Sequence, residues 1–173
     1  MELIFPTMEY KQAAWEYRQE YIDGKEPTIN GSGGLMRFDD YESWLDKVTG
    51  EQTVAQTGWV TCSTYFAFVG ERIVGTIQVR HALNDEVRKH AGHIGYGVRS
   101  SERRKGYAAQ MLRLALGKCK EFGIDKALLT CDKDNIASAK TIIKCGGVLE
   151  KEIVEDDGNI LSRYLITNIE KYL

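Results

Sequence analysis

The sequence predicts one α/β (α+β) domain over residues 1–173, built on a mixed sheet that is antiparallel at its edges and parallel in its middle. Three observations predict it. Alternating β-branched and aromatic residues mark two strand pairs, 65–69 with 73–79 and 148–154 with 160–169, each joined by a turn. Between these hairpins a strand, a helix, a strand and a helix follow one another, which argues for neighbouring strands joined by a crossover. Ahead of both, residues 1–63 carry helical periodicity and a glycine-rich loop instead of strands. The hairpins at both ends disfavour a doubly wound sheet.

Each element has a local reason. Residues 9–21 space Ala13, Ala14, Tyr17 and Tyr21 at a helical period and stop at Asp23-Gly24. Asn30-Gly31-Ser32-Gly33-Gly34 reads as a loop, because Gly accepts positive φ and the polar residues bond their own backbone. Asp39 or Asp40 can cap a second helix carrying Trp44, Leu45 and Val48, which ends near Gly50. After the first hairpin, a polar stretch at 84–92 leads to a strand at 93–98. Ala108, Met111, Leu112, Ala115, Leu116 and Cys119 then recur on one helical face until Gly123. A strand at 127–131 and a helix at 136–144, stopped by Gly146-Gly147, complete the centre.

Composition narrows the function. With 43% hydrophobic and 28% charged residues, 173 residues suffice for one core. A net charge of -2 argues against a nucleic-acid-wrapping role. No apolar run approaches the roughly 18 residues of a membrane span, so no membrane partner is expected. Cys62, Cys119, Cys131 and Cys145 are scattered singly and read as buried, reduced thiols of a cytoplasmic protein. His81, His90 and His93 lack the spacing and companions of a metal site, and none is expected.

Chemistry concentrates at 93–108, His93-Ile94-Gly95-Tyr96-Gly97-Val98-Arg99-Ser100-Ser101-Glu102-Arg103-Arg104-Lys105-Gly106-Tyr107-Ala108, where a basic turn joins a strand to a helix start. Free N–H groups and the positive end of the helix converge there, and Gly106 permits close approach of an anion. Arg99, Arg103, Arg104 and Lys105 against Glu102 leave a local excess of three positive charges.

Arg103-x-x-Gly106-x-Ala108, after a strand ending Gly97-Val98-Arg99, resembles the acyl-CoA motif Q/R-x-x-G-x-G/A of the GCN5-related N-acetyltransferases, the GNAT family. Asn135-Ile136-Ala137-Ser138 and the Lys144-Cys145-Gly146-Gly147 helix end resemble the family's second signature. The resemblance is specific from about Ile73 to Ile169, with Ile73-Val74-Gly75, Arg80-His81-x-Leu83-Asn84 and Arg163-Tyr164 similar to a mostly uncharacterised bacterial branch. It implies a mainly antiparallel sheet with helices on both faces and a V-shaped split between two parallel central strands. It divides the chain into a substrate-side helical part, 1–63, and an acyl-CoA-binding core, 64–173.

The implied activity is transfer of an acetyl group from acetyl-CoA, the cosubstrate, to a primary amine by direct attack in a ternary complex. Tyr96, Gly97 and Val98 would offer backbone groups to pantetheine. Backbone N–H groups from Arg104 through Lys105, Gly106, Tyr107 and Ala108 would hold the pyrophosphate, with the Arg103 and Arg104 side chains nearby. Asn135 and Ser138 would lie beside the pantetheine arm or cap their helix. The Val98 N–H would polarise the thioester carbonyl.

The family often places a general-acid Tyr seven residues after the motif Asn, and this chain has Ile142 there. Tyr164 and Cys131 are substitutes, and His93, Tyr96 and His81 are candidate bases. Strand alternation turns His93 and Tyr96 to opposite faces unless a bulge intervenes. The implied acceptor, a small-molecule or peptide amine, would meet Glu16, Glu20, Asp39 and Asp40 between aromatic walls of Trp15, Tyr17, Tyr41 and Trp44. A monomer and a homodimer both suit the resemblance. The missing Tyr also suits a degenerate CoA sensor. A nucleotide-binding module lacks its G-x-x-x-x-G-K-[ST] pattern, and the charge disfavours an RNA-associated protein.

Overall fold

In the computed structural model, which describes residues 1–172, the strands form two sheets that meet at one point. Leu173, the end of the expected domain, lies outside the described residues. The first sheet runs β1 (Glu2–Ile4), β2 (Cys62–Val69), β3 (Arg72–Arg80), β4 (Ile94–Val98), and the second has the order β5 (Ala127–Asp132), β7 (Ile160–Ile166), β6 (Val148–Val154). Helices α1 (Lys11–Asp23) and α2 (Tyr41–Gly50) precede β2, and α3 (Asp85–His90) links β3 to β4. The crossover from β4 to β5 is α4 (Tyr107–Glu121), and α5 (Ile136–Lys144) follows β5.

Every ladder is antiparallel. The expected parallel pairing in the middle is therefore corrected: β4 and β5 form no ladder, and a single bridge of antiparallel type, Gly92 with Leu129, joins the sheets. The expected split is the gap beyond this bridge. Its apex is tied by the His93 N–H donating to the Leu128 carbonyl at 2.6 Å and the Leu128 N–H donating to His93 Nδ1 at 2.9 Å.

Strand alternation sorts the apolar residues into two cores. Tyr65, Ala67, Ile77, Val79 and Ile94 pack with Met111, Leu112, Ala115 and Leu116 of α4. Phe66 and Phe68 face the other way, onto Tyr17, Tyr41 and Trp44. A bulge opposite Ala67 and Phe68 flips the parity of β3, so Ile73 joins the second core and Val74 the first. Trp44 stacks on Phe66 with ring centroids 5.5 Å apart, and its indole N–H donates to the Ser32 carbonyl at 2.9 Å. This anchors the glycine-rich loop.

Two elements went unread in the sequence. β1 is only three residues long, too short to display a period. The six-residue α3 did carry signals: Asn84 Oδ1 accepts the Val87 N–H at 2.8 Å, acids occupy its first turn, and Arg88, Lys89 and His90 its last. No described helix is long and apolar enough to cross a membrane.

Gly97 and Gly31 let the loop press on β4. A Cβ on Gly97 would sit 2.8 Å from the Asn30 carbonyl oxygen, and one on Gly31 would sit 2.4 Å from the Gly95 oxygen. Gly97→Ala should cost about 1–3 kcal/mol in urea unfolding, because the obstacle is backbone. An unchanged midpoint would refute the contact.

His93 makes the apex acid-sensitive. Burial first, then Arg88 and Arg80, push its pKa down to about 4, so the folded imidazole is neutral and Nδ1 can accept. Unfolded, it titrates near 6.5. Between these values the unfolded chain binds more protons, so this contribution is full above 6.5 and is lost as pH falls through 4. It amounts to at most about 3 kcal/mol. His93→Gln, which keeps an acceptor, should flatten unfolding midpoints measured from pH 7 to pH 4.5 relative to the parent; equal slopes would contradict the assignment.

Candidate active site

Hydrogen-bond alternation decides which backbone groups face the gap. Arg99 donates its N–H to the Val74 carbonyl at 2.8 Å and is opposite it in register, so the groups of Gly95 and Gly97 also turn toward β3. Those of Ile94, Tyr96 and Val98 turn toward β5. Gly97 is thereby removed from the expected slot-lining backbone. On the far side the Lys133 N–H donates to the Ile160 carbonyl at 2.8 Å, so Leu128 and Thr130 turn their groups toward β4; those of Leu128 are taken by His93 at the apex, and those of Thr130 face the gap. The N–H groups of Tyr96 and Val98 have no partner among the described residues. The Val98 carbonyl accepts from Arg103 Nε at 3.0 Å.

The basic turn is largely neutralised by two acids from the N-terminal segment and by its own Glu102. Arg99 Nε donates to Glu20 Oε2 at 2.5 Å, Arg103 pairs with Glu26 at 2.6 Å, and Lys105 pairs with Glu102 at 2.8 Å. Glu20 also accepts the Ser101 N–H at 2.9 Å, and Glu26 accepts the Ser100 hydroxyl. Only Arg104 of the four cations has no such partner among the described residues. It holds φ +61°, which is uncommon without glycine, and Gly106 holds φ +81°. The start of the 15-residue α4 has no side-chain cap, so its first N–H groups, at Tyr107 and Ala108, are free for an anion. A Cβ at Gly106 would meet nothing within 4 Å, so there is room in front of this helix end.

The other expected site residues separate into distinct groups. The Tyr96 and Ser138 hydroxyls lie 3.0 Å apart, linking β4 to α5. Burial pushes the Tyr96 pKa up to about 12. Asn135 Oδ1 accepts the Ser138 N–H at 3.1 Å, capping α5. Tyr164 is buried opposite Leu129, the bridge residue, and its hydroxyl has no hydrogen-bond partner among the described residues. Burial raises the Cys131 thiol above its usual range. Ile142 is fully buried in the core, so the position matching the family Tyr is a packing position here. His81 Nε2 lies 2.9 Å from the Ser63 hydroxyl, and its ring stacks on Phe122 at 3.9 Å, away from β4. No cluster of three or more potential metal ligands occurs among the described residues.

The expected acceptor walls need correction. Tyr17, Tyr41 and Trp44 are fully buried core residues. Glu16 bonds Gln12 at 3.0 Å, Asp40 caps α2 through the Ser43 N–H at 2.7 Å, and Glu20 serves the basic turn. A cavity of about 340 Å³ lies instead between the 27–38 segment, Lys47, Glu51, Gln56, Trp59 and Gln78 of β3. Its aromatic residues are Phe38 and Trp59. Both lie in irregular segments, where no periodicity marks a residue as core or wall.

The fold has counterparts among solved structures. Of solved structures, RimL, a ribosomal L7/L12 alpha-N-protein acetyltransferase in complex with coenzyme A, is similar at 17% identity and TM-score 0.70, over 96% of this chain and 93% of that one. RimJ of Mycobacterium smegmatis, in complex with CoA-disulfide, is similar at 19% identity and TM-score 0.71, over 97% and 82%. A spermidine N-acetyltransferase SpeG chimera from Vibrio cholerae and hSSAT is similar at 14% identity and TM-score 0.66, over 99% and 98%. A search among curated proteins finds no match. The profile of the Acetyltransferase (GNAT) family matches residues 34–146, an interval that runs from the cavity loop through β4, the basic turn and β5 to the end of α5, and the chain belongs to that family.

Proposed function

We propose that the protein transfers an acetyl group from acetyl-CoA to a primary amine by direct attack in a ternary complex. The observation that carries this reading is a pair of strand edges left open beyond the Leu128 tie, the free N–H groups of Tyr96 and Val98 on one side and the backbone of Thr130 on the other, which open toward an uncapped helix end with a free Arg104 beside it. An amide-bearing chain can lie between such edges as an added strand, and a pyrophosphate suits the helix end. The room at Gly106 and the uncommitted Arg104 fit the cofactor. Acetyl-CoA supplies the thioester carbonyl.

The roles follow from what each group has free. The N–H groups of Lys105, Gly106, Tyr107 and Ala108 and the Arg104 guanidinium hold the pyrophosphate. Arg103 and Lys105, held by Glu26 and Glu102, shape the turn and add long-range positive charge. Tyr96 offers its N–H and C=O to the pantetheine amides, while its side chain and Ser138 and Asn135 form the α5 side of the slot. The Val98 N–H polarises the carbonyl, stabilising charge where it develops. Tyr164, whose hydroxyl has no hydrogen-bond partner among the described residues, donates the proton to the leaving thiolate.

None of the three candidate bases is well placed, His81 being engaged by Ser63 and Phe122. Tyr96 keeps its proton at neutral pH, and the Nδ1 lone pair of His93 is engaged by Leu128, which places the single proton of the neutral ring on Nε2 and leaves His93 no free lone pair. The amine accordingly sheds its proton to water. Without a free base, amines of low pKa should react fastest, since a lysine-like amine is only about one part in 10³ neutral at pH 7.

Calorimetric titration with acetyl-CoA, followed by thiol release with a panel of amines, tests the reading: one-to-one binding with amine-dependent release is expected, binding without release favours a sensor, and no binding refutes it. Gly106→Asp should weaken CoA binding by roughly 100-fold through charge and bulk facing pyrophosphate, with a stability cost of about 1 kcal/mol for an L-residue at positive φ. Unchanged affinity would displace the pyrophosphate site. Tyr164→Phe should lower kcat by at least about tenfold at saturating acetyl-CoA, within the range of general-acid catalysis. A drop under about threefold removes Tyr164 as the donor.

A further inference from the structure

We propose that the acceptor is an amine that also carries an anionic group, a carboxylate or a phosphate, selected by surplus positive charge around the cavity beside β4. The proposal rests on the acetyl-transfer reading for its chemistry, though not for its binding. The charged residues lining the cavity are Arg37, Lys47 and Glu51. Glu51 is only 6% exposed and already engaged: Lys47 Nζ lies 2.7 Å from Oε1, and the Cys62 thiol points at Oε2 from 3.8 Å. Lys47 also donates to the Gly33 carbonyl at 3.0 Å. This pair offers little to an incoming ammonium. Arg37 is exposed and has no carboxylate partner among the described residues.

A third cation stands behind the wall. Arg80 shares the β3 face of Gln78, and its guanidinium carbon lies 5.3 Å from the ring of Trp59, both cavity residues. Its Nη1 donates to the carbonyls of Ala91 at 3.3 Å and Gly92 at 3.1 Å. No carboxylate pairs with it among the described residues, and its buried Nε has no acceptor. Loss of hydration on burial holds its pKa below the usual arginine value. Three cations thus stand against one carboxylate at or behind this cavity. An uncompensated buried charge is costly, and an anion in the cavity would supply the missing counter-charge.

The acids that could have attracted a polycation are elsewhere: Glu20 and Glu26 hold the basic turn, Asp40 caps α2, and none of them lines the cavity. A molecule with several ammonium groups would meet like charge. A dipolar acceptor would place its anion toward Arg37 and Arg80 and leave its amine for the thioester. Nearby positive charge also lowers the pKa of that amine, which raises its reactive fraction where no free base stands ready.

Matched compounds decide the question. The CoA-loaded protein is titrated with Gly-Gly against Gly-Gly amide, with O-phosphoethanolamine against ethanolamine, and with spermidine, and KM values are taken from thiol release with acetyl-CoA. At least one anionic member should bind about tenfold or more tightly than its neutral counterpart, with spermidine weakest. The pair that responds distinguishes carboxylate from phosphate.

Arg80→Gln, which removes the charge and keeps an amide donor, and Arg37→Ala should each reduce that preference to less than about threefold. CoA affinity and the KM of the neutral compound should stay unchanged. Equal or tighter binding of neutral compounds or spermidine overturns the proposal, as does binding of none of them while CoA still binds. A variant that weakens both members of a pair and CoA alike makes Arg80 merely structural and also overturns it. If CoA itself fails to bind, acetyl transfer is refuted, and the same titrations of the unloaded protein still decide the charge preference.

Discussion

Everything at the site depends on two half-sheets that touch at one bridge and are joined by the His93–Leu128 pair of hydrogen bonds. If β4 and β5 continued as a ladder, the N–H groups of Tyr96 and Val98 would be consumed in pairing. If they never met, the two edges would have no fixed separation. One neutral imidazole accepting one amide proton supplies the second tie, and burial keeps it neutral. The apex is therefore a polar contact in an apolar setting, where an unmade bond costs more than a made one contributes.

β4 is exploited on both faces and on its free edge. Toward α4, Ile94, Tyr96 and Val98 pack on the first core. On the opposite face Gly95 and Gly97 have no side chains; the Arg80 guanidinium takes up the space over Gly95 and the loop backbone at Asn30 the space over Gly97. Thr76, paired with Gly97, donates to the Asn30 carbonyl at 3.0 Å and contacts the Tyr17 hydroxyl at 3.2 Å, which extends the register of the sheet into α1. The strand that presents its edge to the cofactor slot is thus the floor on which the cavity loop rests.

Much of this was legible in the sequence. The hairpins, α1, α2, α4 and α5 follow from periodicities of two and 3.6 and from caps such as Asp40, because those signals are local. The basic turn was found with Gly106 in place, since residue type and order carry it. What was not legible is partner choice across long separations. Nothing near Glu20 or Glu26 announces that they will neutralise Arg99 and Arg103, 79 and 77 residues away. The same limit misplaced the aromatic walls: a Tyr or Trp at helical spacing reads alike whether it faces core or cavity, and Tyr17, Tyr41 and Trp44 all face core. The parallel middle pair failed differently. The strands are present, but His93 diverts its bonds to Leu128 at the apex and no ladder follows.

The segment from Gly24 to Phe38 ties the two halves of the site together. At one end Glu26 holds Arg103, which in turn caps the Val98 carbonyl on the slot edge. In its middle Asn30 and Gly31 lie on β4, and at its far end residues 31–34 and 36–38 line the cavity. Displacing this segment would therefore release Arg103 from the slot edge and reshape the acceptor cavity together. The pairs that hold it are exposed to differing degrees and are individually weak, while the contacts at Gly31 and Gly97 are backbone against backbone and cannot yield in small steps. Local opening of the segment should then be cooperative, so that order at the acceptor cavity and order at the cofactor slot rise and fall as one.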